Sequence, residues 1–286
     1  VRSMLALADP GFIVQFGPQL GVLLILNKAS QFPAAISHLT YADRLAQLPF
    51  GFIASGLATV ALPDFSAQLR SGRHDALRES IDRASLLALA LTLPAMMALI
   101  ILADPIISVL FERGAFGSAD RMGTSAALIG FVLGLPFAAL ARVKIQIYFA
   151  HERVMIPLIS MLSSVLVTGL ALQLPFFFGG PFGLALAVSL GQASALLVVL
   201  FGLGHLTDWR PDATYLKQGA KIVTATALLV GALLVLRHVL GPTLIGQGEG
   251  LMRSALLGLL CLGGVGIYAL MLHIFGLTRL LRSAES

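Results

Sequence analysis

The chain has 286 residues, of which 57% are hydrophobic and only 12% charged, with a net charge of +5 and a mean hydropathy of +0.91. This composition excludes a soluble domain, because the apolar residues occur in runs of about 20, the length that crosses a bilayer. The basic residues lie in short segments between these runs, which favours a membrane topology signal over a nucleic-acid partner. A single cysteine, Cys261, excludes a disulfide framework.

The hydropathy pattern predicts an all-α, polytopic membrane protein with eight transmembrane helices. The predicted spans are Gly11–Phe32, Leu39–Leu62, Ala84–Ala103, Arg121–Ala150, Val154–Phe178, Phe182–Leu206, Lys217–Leu240 and Leu251–Phe275. Between the second and third spans, residues 66–83 are predicted to form a turn and an amphipathic surface helix. An even number of spans places both termini on the same side of the membrane.

The distribution of basic residues predicts which side that is. If the termini are cytoplasmic, thirteen of the 19 lysines and arginines fall in cytoplasmic segments and four in external ones. The cytoplasmic ones are Arg2, Arg70, Arg73, Arg78, Arg83, Arg142, Lys144, Arg153, Arg210, Lys217, Lys221, Arg279 and Arg282. Because basic residues accumulate on the cytoplasmic side of membrane proteins, both termini are predicted to be cytoplasmic.

The first span, GFIVQFGPQLGVLLILNKASQF, ends in a polar group that includes Lys28. Lys28 lies about one turn from the outer end of the span, which is close enough for its ammonium group to reach the interface. A cation within the membrane is also a candidate for substrate contact. The sequence leaves these two interpretations open.

The second span has the most informative polar pattern, because polar and small residues recur along one narrow face at 100° per residue. Residues on this face are Ser37, Arg44, Gln47, Gly51, Ser55 and Thr59. An arginine within a span costs roughly 2.5–3.5 kcal/mol even on lenient insertion scales, so Arg44 is expected to face a protein interior or a watery cavity. The alternatives are that Arg44 pairs with Asp43 or reaches the interface.

The same stretch, YADRLAQLPFGFIASGLATVALPDFS, resembles the signature of the MurJ (MviN) family, the lipid II flippases of bacterial peptidoglycan synthesis. The family pattern is Tyr-Ala-x-Arg-Leu-x-x-Leu-Pro-x-Gly, small and apolar residues, and then Leu-Pro-x-x-Ser, and every fixed position is present. LFERGAF, between the third and fourth spans, is similar to a family motif from an external loop, and its simplest interpretation is a structural elbow. The resemblance covers the second half of the family and its terminal helices.

The resemblance also implies a second candidate cation. Family members have a lysine eight residues after the glycine of a Gly-Leu-Pro motif, and the same spacing from Gly134 reaches Arg142 in this chain. Some members are thought to bind sodium through acidic and amide residues in the equivalents of the first and fifth spans. These spans carry no carboxylate here, so a sodium site is not expected.

Other chemistry has no support in the sequence. The histidines are scattered near span ends without metal-ligand spacing, and neither a Walker loop nor an HExxH motif is present. No metal, cofactor or catalytic site is therefore predicted. An enzyme acting on lipid-linked sugars normally needs acids or a metal near the interface, so a non-enzymatic role is expected.

The resemblance implies the fold of the multidrug/oligosaccharidyl-lipid/polysaccharide exporter superfamily. Residues 1–210 are expected to form the second lobe, a bundle of six helices, and residues 211–286 an added two-helix pair, with the N-terminal lobe missing from this chain. The implied function is movement of lipid II from the inner to the outer leaflet of the bacterial inner membrane by alternating access.

In this interpretation the binding partner is the undecaprenyl-linked pyrophosphate of lipid II, within a lipid bilayer. Arginine can hold phosphate oxygens through two parallel hydrogen bonds, which makes Arg44 the first candidate for pyrophosphate contact. The further candidates are Arg142, Lys28, Asp43, Gln47 and Ser55.

Two other classes remain open. A flippase for another polyprenyl-linked saccharide, or a drug exporter of the same fold, has the same architecture and charge pattern. A membrane scaffold that transports nothing is the second alternative, if this chain is the mature product. Rescue of cells depleted of MurJ distinguishes the first alternative from lipid II transport.

Overall fold

The computed structural model describes residues 20–174, 180–206, 211–245 and 250–277. All regular secondary structure in these ranges is α-helical. The helices are α1 (Leu20–Ala29), α2 (Ala35–Arg70), α3 (His74–Phe111), α4 (Ser118–Val132), α5 (Leu135–Ala150), α6 (Met155–Ala171), α7 (Pro181–Leu206), α8 (Ala213–Ile245) and α9 (Gly250–Ile274).

Five helical stretches of the described residues are long and apolar enough to cross a membrane. They are Asp75–Phe111, Ser118–Ala150, Pro181–Leu206, Ala213–Leu240 and Met252–Ile274. The prediction of an all-α, polytopic membrane protein is therefore confirmed, while the number of eight spans stays a prediction.

The first long helices extend well beyond the predicted spans. α2 runs 36 residues through Pro49 and Pro63, and α3 runs 38 residues through Pro94 and Pro105. Of the predicted surface segment, only Ser71, Gly72 and Arg73 lie outside a helix, and Gly72 has a left-handed backbone (φ 65°). The amphipathic part is the first portion of α3, since no helix-breaking residue separates it from the apolar part.

The predicted fourth span is broken into α4 and α5 at Leu133 and Gly134. Pro136 lacks the N–H that would continue the helix, so carbonyl groups at the break need other donors. The Ser189 hydroxyl of α7 donates to the carbonyl oxygens of Gly130 and Phe131, at 2.6 and 3.1 Å. A Cβ on Gly130 would lie 2.6 Å from the carbonyl oxygen of Phe182, so α4 and α7 approach closely because this residue is glycine.

The described helices share a main core cluster, to which each of α1–α9 contributes buried residues. α2 packs against α3, α4 and α5, and α7 packs against α4, α5 and α6. α8 and α9 pack against α3 and each other. The Tyr268 hydroxyl of α9 donates to the Ala90 carbonyl oxygen at 2.7 Å, and the Arg237 guanidinium of α8 donates to the Ile101 carbonyl oxygen at 2.9 Å. The terminal pair is thus attached to α3 through buried backbone acceptors.

Candidate functional site

The predicted polar face of α2 is open in the structure. Arg44, Gln47 and Gly51 are all exposed. The opposite side of the same helix is buried in the bundle, where Leu39 and Leu45 are 1% and 8% exposed. The face therefore carries a guanidinium that the rest of the described chain does not cover. Ser55 belongs to α2, but its side chain lies outside the part of the chain that the structure describes.

Asp43, the neighbour of Arg44, has a different hydrogen-bond partner. Its carboxylate is partly buried and accepts a hydrogen bond from the Gln47 amide nitrogen at 2.5 Å. Arg44 acts on Asp43 electrostatically, but no ion pair among the described residues joins the two side chains. This geometry leaves the guanidinium of Arg44 available for an external anion.

Arg142, on α5, is half-buried and lies against α2. Its guanidinium carbon is 5.3 Å from the centre of the Phe50 ring, a cation–π contact. Phe50 follows Arg44 by six residues, which corresponds to about 9 Å along the helix and about 120° around it. The two arginines therefore lie at different depths on adjoining sides of α2 rather than beside each other.

Lys28 lies in the last turn of α1 and is partly exposed. The turn that follows is closed by backbone hydrogen bonds, including one from the Gln31 N–H to the Lys28 carbonyl oxygen at 3.2 Å. Because α1 ends at Ala29, Lys28 lies one residue from the helix end, closer than the turn expected from the predicted span end at Phe32. Lys28, Arg44 and Arg142 thus lie on three different helices, α1, α2 and α5.

Lys144 is a buried cation that was not among the predicted site residues. It is 1% exposed and interacts electrostatically with Asp82 of α3. Lys144 follows Arg142 by two residues, which places it about 200° around α5, on the nearly opposite side. Arg142 faces α2, and Lys144 faces the bundle interior. Spacing along α5 could have separated these two faces, but it could not show which face is buried.

The start of α2 is held by the LFERGAF elbow. Gly114 has a left-handed backbone (φ 61°), as a tight turn requires. The rings of Phe111 and Phe116 lie 4.8 and 5.8 Å from the ring of Tyr41, between centroids. This aromatic cluster connects the elbow to the helix that carries Arg44, in agreement with a structural role for the motif.

A second contact fixes the same end of α2 against α4. The imidazole Nε2 of His38 lies 3.1 Å from the Asp120 carboxylate, and a Cβ on Gly123 would lie 2.5 Å from the other ring nitrogen of His38. The absence of a side chain at Gly123 therefore makes room for the imidazole. Sequence reasoning missed this pair because the two residues are far apart in the chain.

An ionic network lies at the predicted external end of α3. Arg121 of α4 is 3.3 Å from the carboxylates of both Asp104 and Glu112. The Arg253 guanidinium of α9 donates to the Ser108 hydroxyl at 2.7 Å, and this hydroxyl donates to Glu112. Through these contacts the network joins α3, α4 and α9.

Within the described ranges, no group of three or more histidine, cysteine, aspartate or glutamate side chains could hold a metal ion. The open face of α2 offers the guanidinium of Arg44 and the amide of Gln47 beside the partly buried carboxylate of Asp43, while the guanidinium of Arg142 on α5 lies against Phe50. Guanidinium and amide N–H groups can donate hydrogen bonds to an anion, whereas an ionised carboxylate only accepts them.

The chain is similar to known transporters over most of its length. The family model "Lipid II flippase MurJ" matches residues 1–247. A probable lipid II flippase MurJ of Rhizobium tropici is 32% identical over 96% of this chain and 52% of its own length. The probable lipid II flippase MurJ of Rhizobium meliloti (strain 1021) is 36% identical over 82% of this chain and 44% of its own length.

Solved structures of transporters are also similar to this chain. A lipid II flippase MurJ in an inward closed conformation superposes with a TM-score of 0.76 at 26% identity, covering 96% of this chain and 54% of that one. An outward-facing MATE family transporter of the MOP superfamily, 16% identical, gives a TM-score of 0.56 over 99% of this chain and 67% of that one, which shows the shared fold. The chain spans about half the length of the curated relatives it matches. On the family model and these relatives, the chain belongs to the lipid II flippase MurJ family.

Proposed function

We propose that this chain forms the second lobe and the terminal helix pair of a lipid II flippase. The observation that carries the proposal is the exposed face of α2, on which Arg44 and Gln47 are presented by a helix with the family signature. Residues 1–210 form the lobe and residues 211–286 the added pair. In support of this division, α8 and α9 pack against α3 and against each other.

Lipid II carries a pyrophosphate, whose negative charge is costly to move through a region of low dielectric constant. Cations along the path lower this cost. We infer that Arg44 holds pyrophosphate oxygens, that Gln47 and Asp43 shape the site around the headgroup, and that Ser55 extends the polar face. Arg142 and Lys28 contribute positive charge at other depths of the path.

The transport mechanism in this proposal is alternating access. The headgroup enters a central cavity from the cytoplasmic side, the lobes rock about the site, and the headgroup leaves on the outer side while the polyprenyl tail stays in lipid. The movement needs no covalent chemistry, and the family is one of transporters rather than enzymes. We therefore propose no catalytic role.

Complementation tests the proposed substrate. A chimera in which this chain replaces the matching half of the Rhizobium tropici relative should restore growth and lipid II translocation in cells depleted of MurJ. A chimera that reaches the membrane at normal levels and exports another polyprenyl-linked saccharide or a drug, but not lipid II, would support the alternative transporter class. A chimera that assembles but transports none of these substrates would support a scaffold.

We propose that the protein lies in the bacterial inner membrane with both termini cytoplasmic, on the basis of the basic-residue distribution. Ser71, between α2 and α3, and Ser118, at the start of α4, are then on opposite sides. With Cys261→Ser as background, Ser118→Cys should react with an impermeant thiol reagent in intact cells, and Ser71→Cys should react only after permeabilisation. Labelling of Ser71→Cys in intact cells would contradict this orientation.

A further inference from the structure

A groove of about 700 Å³ lies between the start of α6 and the end of α7. Its walls are aliphatic and aromatic, and include Ile156, Ile159, Leu197 and Phe201. Leu197 and Phe201 are 67% and 76% exposed, so the groove opens on the outer surface of the helices. It is separate from the polar face of α2.

The groove has a formed floor. A Cβ on Gly202 would lie 2.7 Å from the Tyr148 hydroxyl oxygen and 3.1 Å from Ile156, so only glycine lets α7 approach this closely. The Tyr148 hydroxyl donates to the Val199 carbonyl oxygen at 2.6 Å and is thereby satisfied within the protein. The tyrosine hydroxyl donor is therefore not available to a ligand on the floor of the groove.

Two basic side chains stand at the mouth of the groove. Arg153 precedes α6 and is exposed, and His205 lies in the last turn of α7. The Arg153 backbone N–H donates a hydrogen bond to the Tyr148 carbonyl oxygen at 2.8 Å. This bond closes the turn before α6, in which Glu152 has a left-handed backbone (φ 54°). Within the part of the chain that the structure describes, the Arg153 guanidinium has no ion-pair or hydrogen-bond partner.

The depth of the groove in the bilayer indicates which kind of molecule fills it. α7 is long and apolar enough to cross a membrane and ends at Leu206, and α6 begins nearby at Met155, so we place this end of the two helices at the bilayer surface. An apolar groove on the lipid-facing surface of a membrane protein is filled by hydrocarbon, because water there would lack hydrogen-bond partners. Basic residues next to such a groove recognise an anionic headgroup.

We propose that this groove binds an anionic phospholipid, with an acyl chain along Ile159, Leu197 and Phe201 and its phosphate held by Arg153 and His205. The phosphate and the chain of one lipid match the basic mouth and the apolar walls at once. A soluble anion lacks the acyl chain, and the cationic group of a zwitterionic headgroup is repelled by the basic side chains. The site is independent of the substrate path, because Arg44 and Arg142 lie on and against α2.

Quenching by brominated lipids tests the proposal on the whole chain. Trp209 is the only tryptophan, so Trp209→Phe provides a silent background. Phe201→Trp then places a reporter in the groove, and Leu170→Trp places a control reporter on α6, where the side chain is 59% exposed near the opposite end of the helix. The protein is reconstituted in phosphatidylcholine vesicles that contain brominated phosphatidylglycerol or brominated phosphatidylcholine, without lipid II.

We expect the Phe201→Trp reporter to be half-quenched at about a fivefold lower fraction of brominated phosphatidylglycerol than of brominated phosphatidylcholine, the preference that one basic residue at the surface provides. The Leu170→Trp reporter should show no such preference. Arg153→Gln should remove most of the preference and His205→Gln part of it. Arg70→Gln, which removes an exposed arginine from the predicted cytoplasmic end of α2, should leave it unchanged.

Equal quenching by the two lipids at the Phe201→Trp reporter would overturn the proposal. So would a preference that survives Arg153→Gln, or one that Arg70→Gln removes as effectively. Inorganic phosphate, compared with sodium chloride at the same ionic strength, separates the lipid from the free anion. If phosphate alone abolishes the preference at the Phe201→Trp reporter, the mouth binds a soluble anion, and the phospholipid proposal is wrong.

Discussion

Arg44→Ala should lower lipid II translocation by about 10- to 100-fold in the chimera with the Rhizobium tropici relative, at equal amounts of protein in the membrane. The reason is the loss of charge-assisted hydrogen bonding to pyrophosphate, and the net loss of one such bond, about 1.5–3 kcal/mol, corresponds to this factor. Arg44→Lys keeps the charge but loses the planar fork, so it should retain only a small part of the activity. Translocation is measured with reconstituted lipid II.

The control for this prediction is Arg70→Ala, an exposed arginine in the last turn of the same helix. It should transport lipid II at the unaltered rate. Because Arg44 is exposed and outside every ion pair among the described residues, Arg44→Ala should also leave the folded amount nearly unchanged. A loss of transport that merely follows a loss of protein would be a stability effect.

A double variant separates substrate contact from charge neutralisation. Asp43→Asn with Arg44→Gln keeps the net charge and leaves an amide at position 43 to pair with Gln47. If Arg44 only balances Asp43, this variant should transport normally. If Arg44 holds pyrophosphate, the double variant should be as defective as Arg44→Ala. Normal transport by the double variant would remove Arg44 from the substrate path.

Sequence periodicity located the central part of the candidate site. Spacing at 100° per residue placed Arg44, Gln47 and Gly51 on one face of α2, and all three are exposed in the structure. This worked because the pattern depends only on the geometry of one helix. The same helical spacing indicates that Arg142 and Lys144 lie on different sides of α5, because they are two residues apart.

Other features depend on contacts between distant parts of the chain, and sequence patterns carry little information about them. The break between α4 and α5 is stabilised by Ser189, which follows Pro136 by more than fifty residues. The elbow at Gly114 could be predicted as a turn, but its aromatic cluster with Tyr41 could not. The burial of Lys144 likewise follows from the position of α3, since the sequence around it resembles that of an interfacial charge.

The exposed face of α2 also bears on whether this chain can transport lipid II without a second half. Leu48, four residues after Arg44 and therefore on nearly the same side of α2, is 58% exposed. Apolar residues tolerate lipid, but a guanidinium facing hydrocarbon costs roughly 2.5–3.5 kcal/mol even on lenient scales. The face is therefore expected to need an opposing wall that carries polar groups or encloses water.

We predict that the purified chain alone does not translocate lipid II in liposomes, and that the chimera, which supplies the other half from the Rhizobium tropici relative, does. One wall with Arg44 and Gln47 can bind an anion, but it cannot enclose a disaccharide pyrophosphate or alternate its access. Cross-linking through Gln47→Cys, in a Cys261→Ser background, reports whether a second copy covers the face. Transport by the chain alone without that cross-link would contradict the prediction, and transport with it would show that two copies of this lobe enclose the substrate.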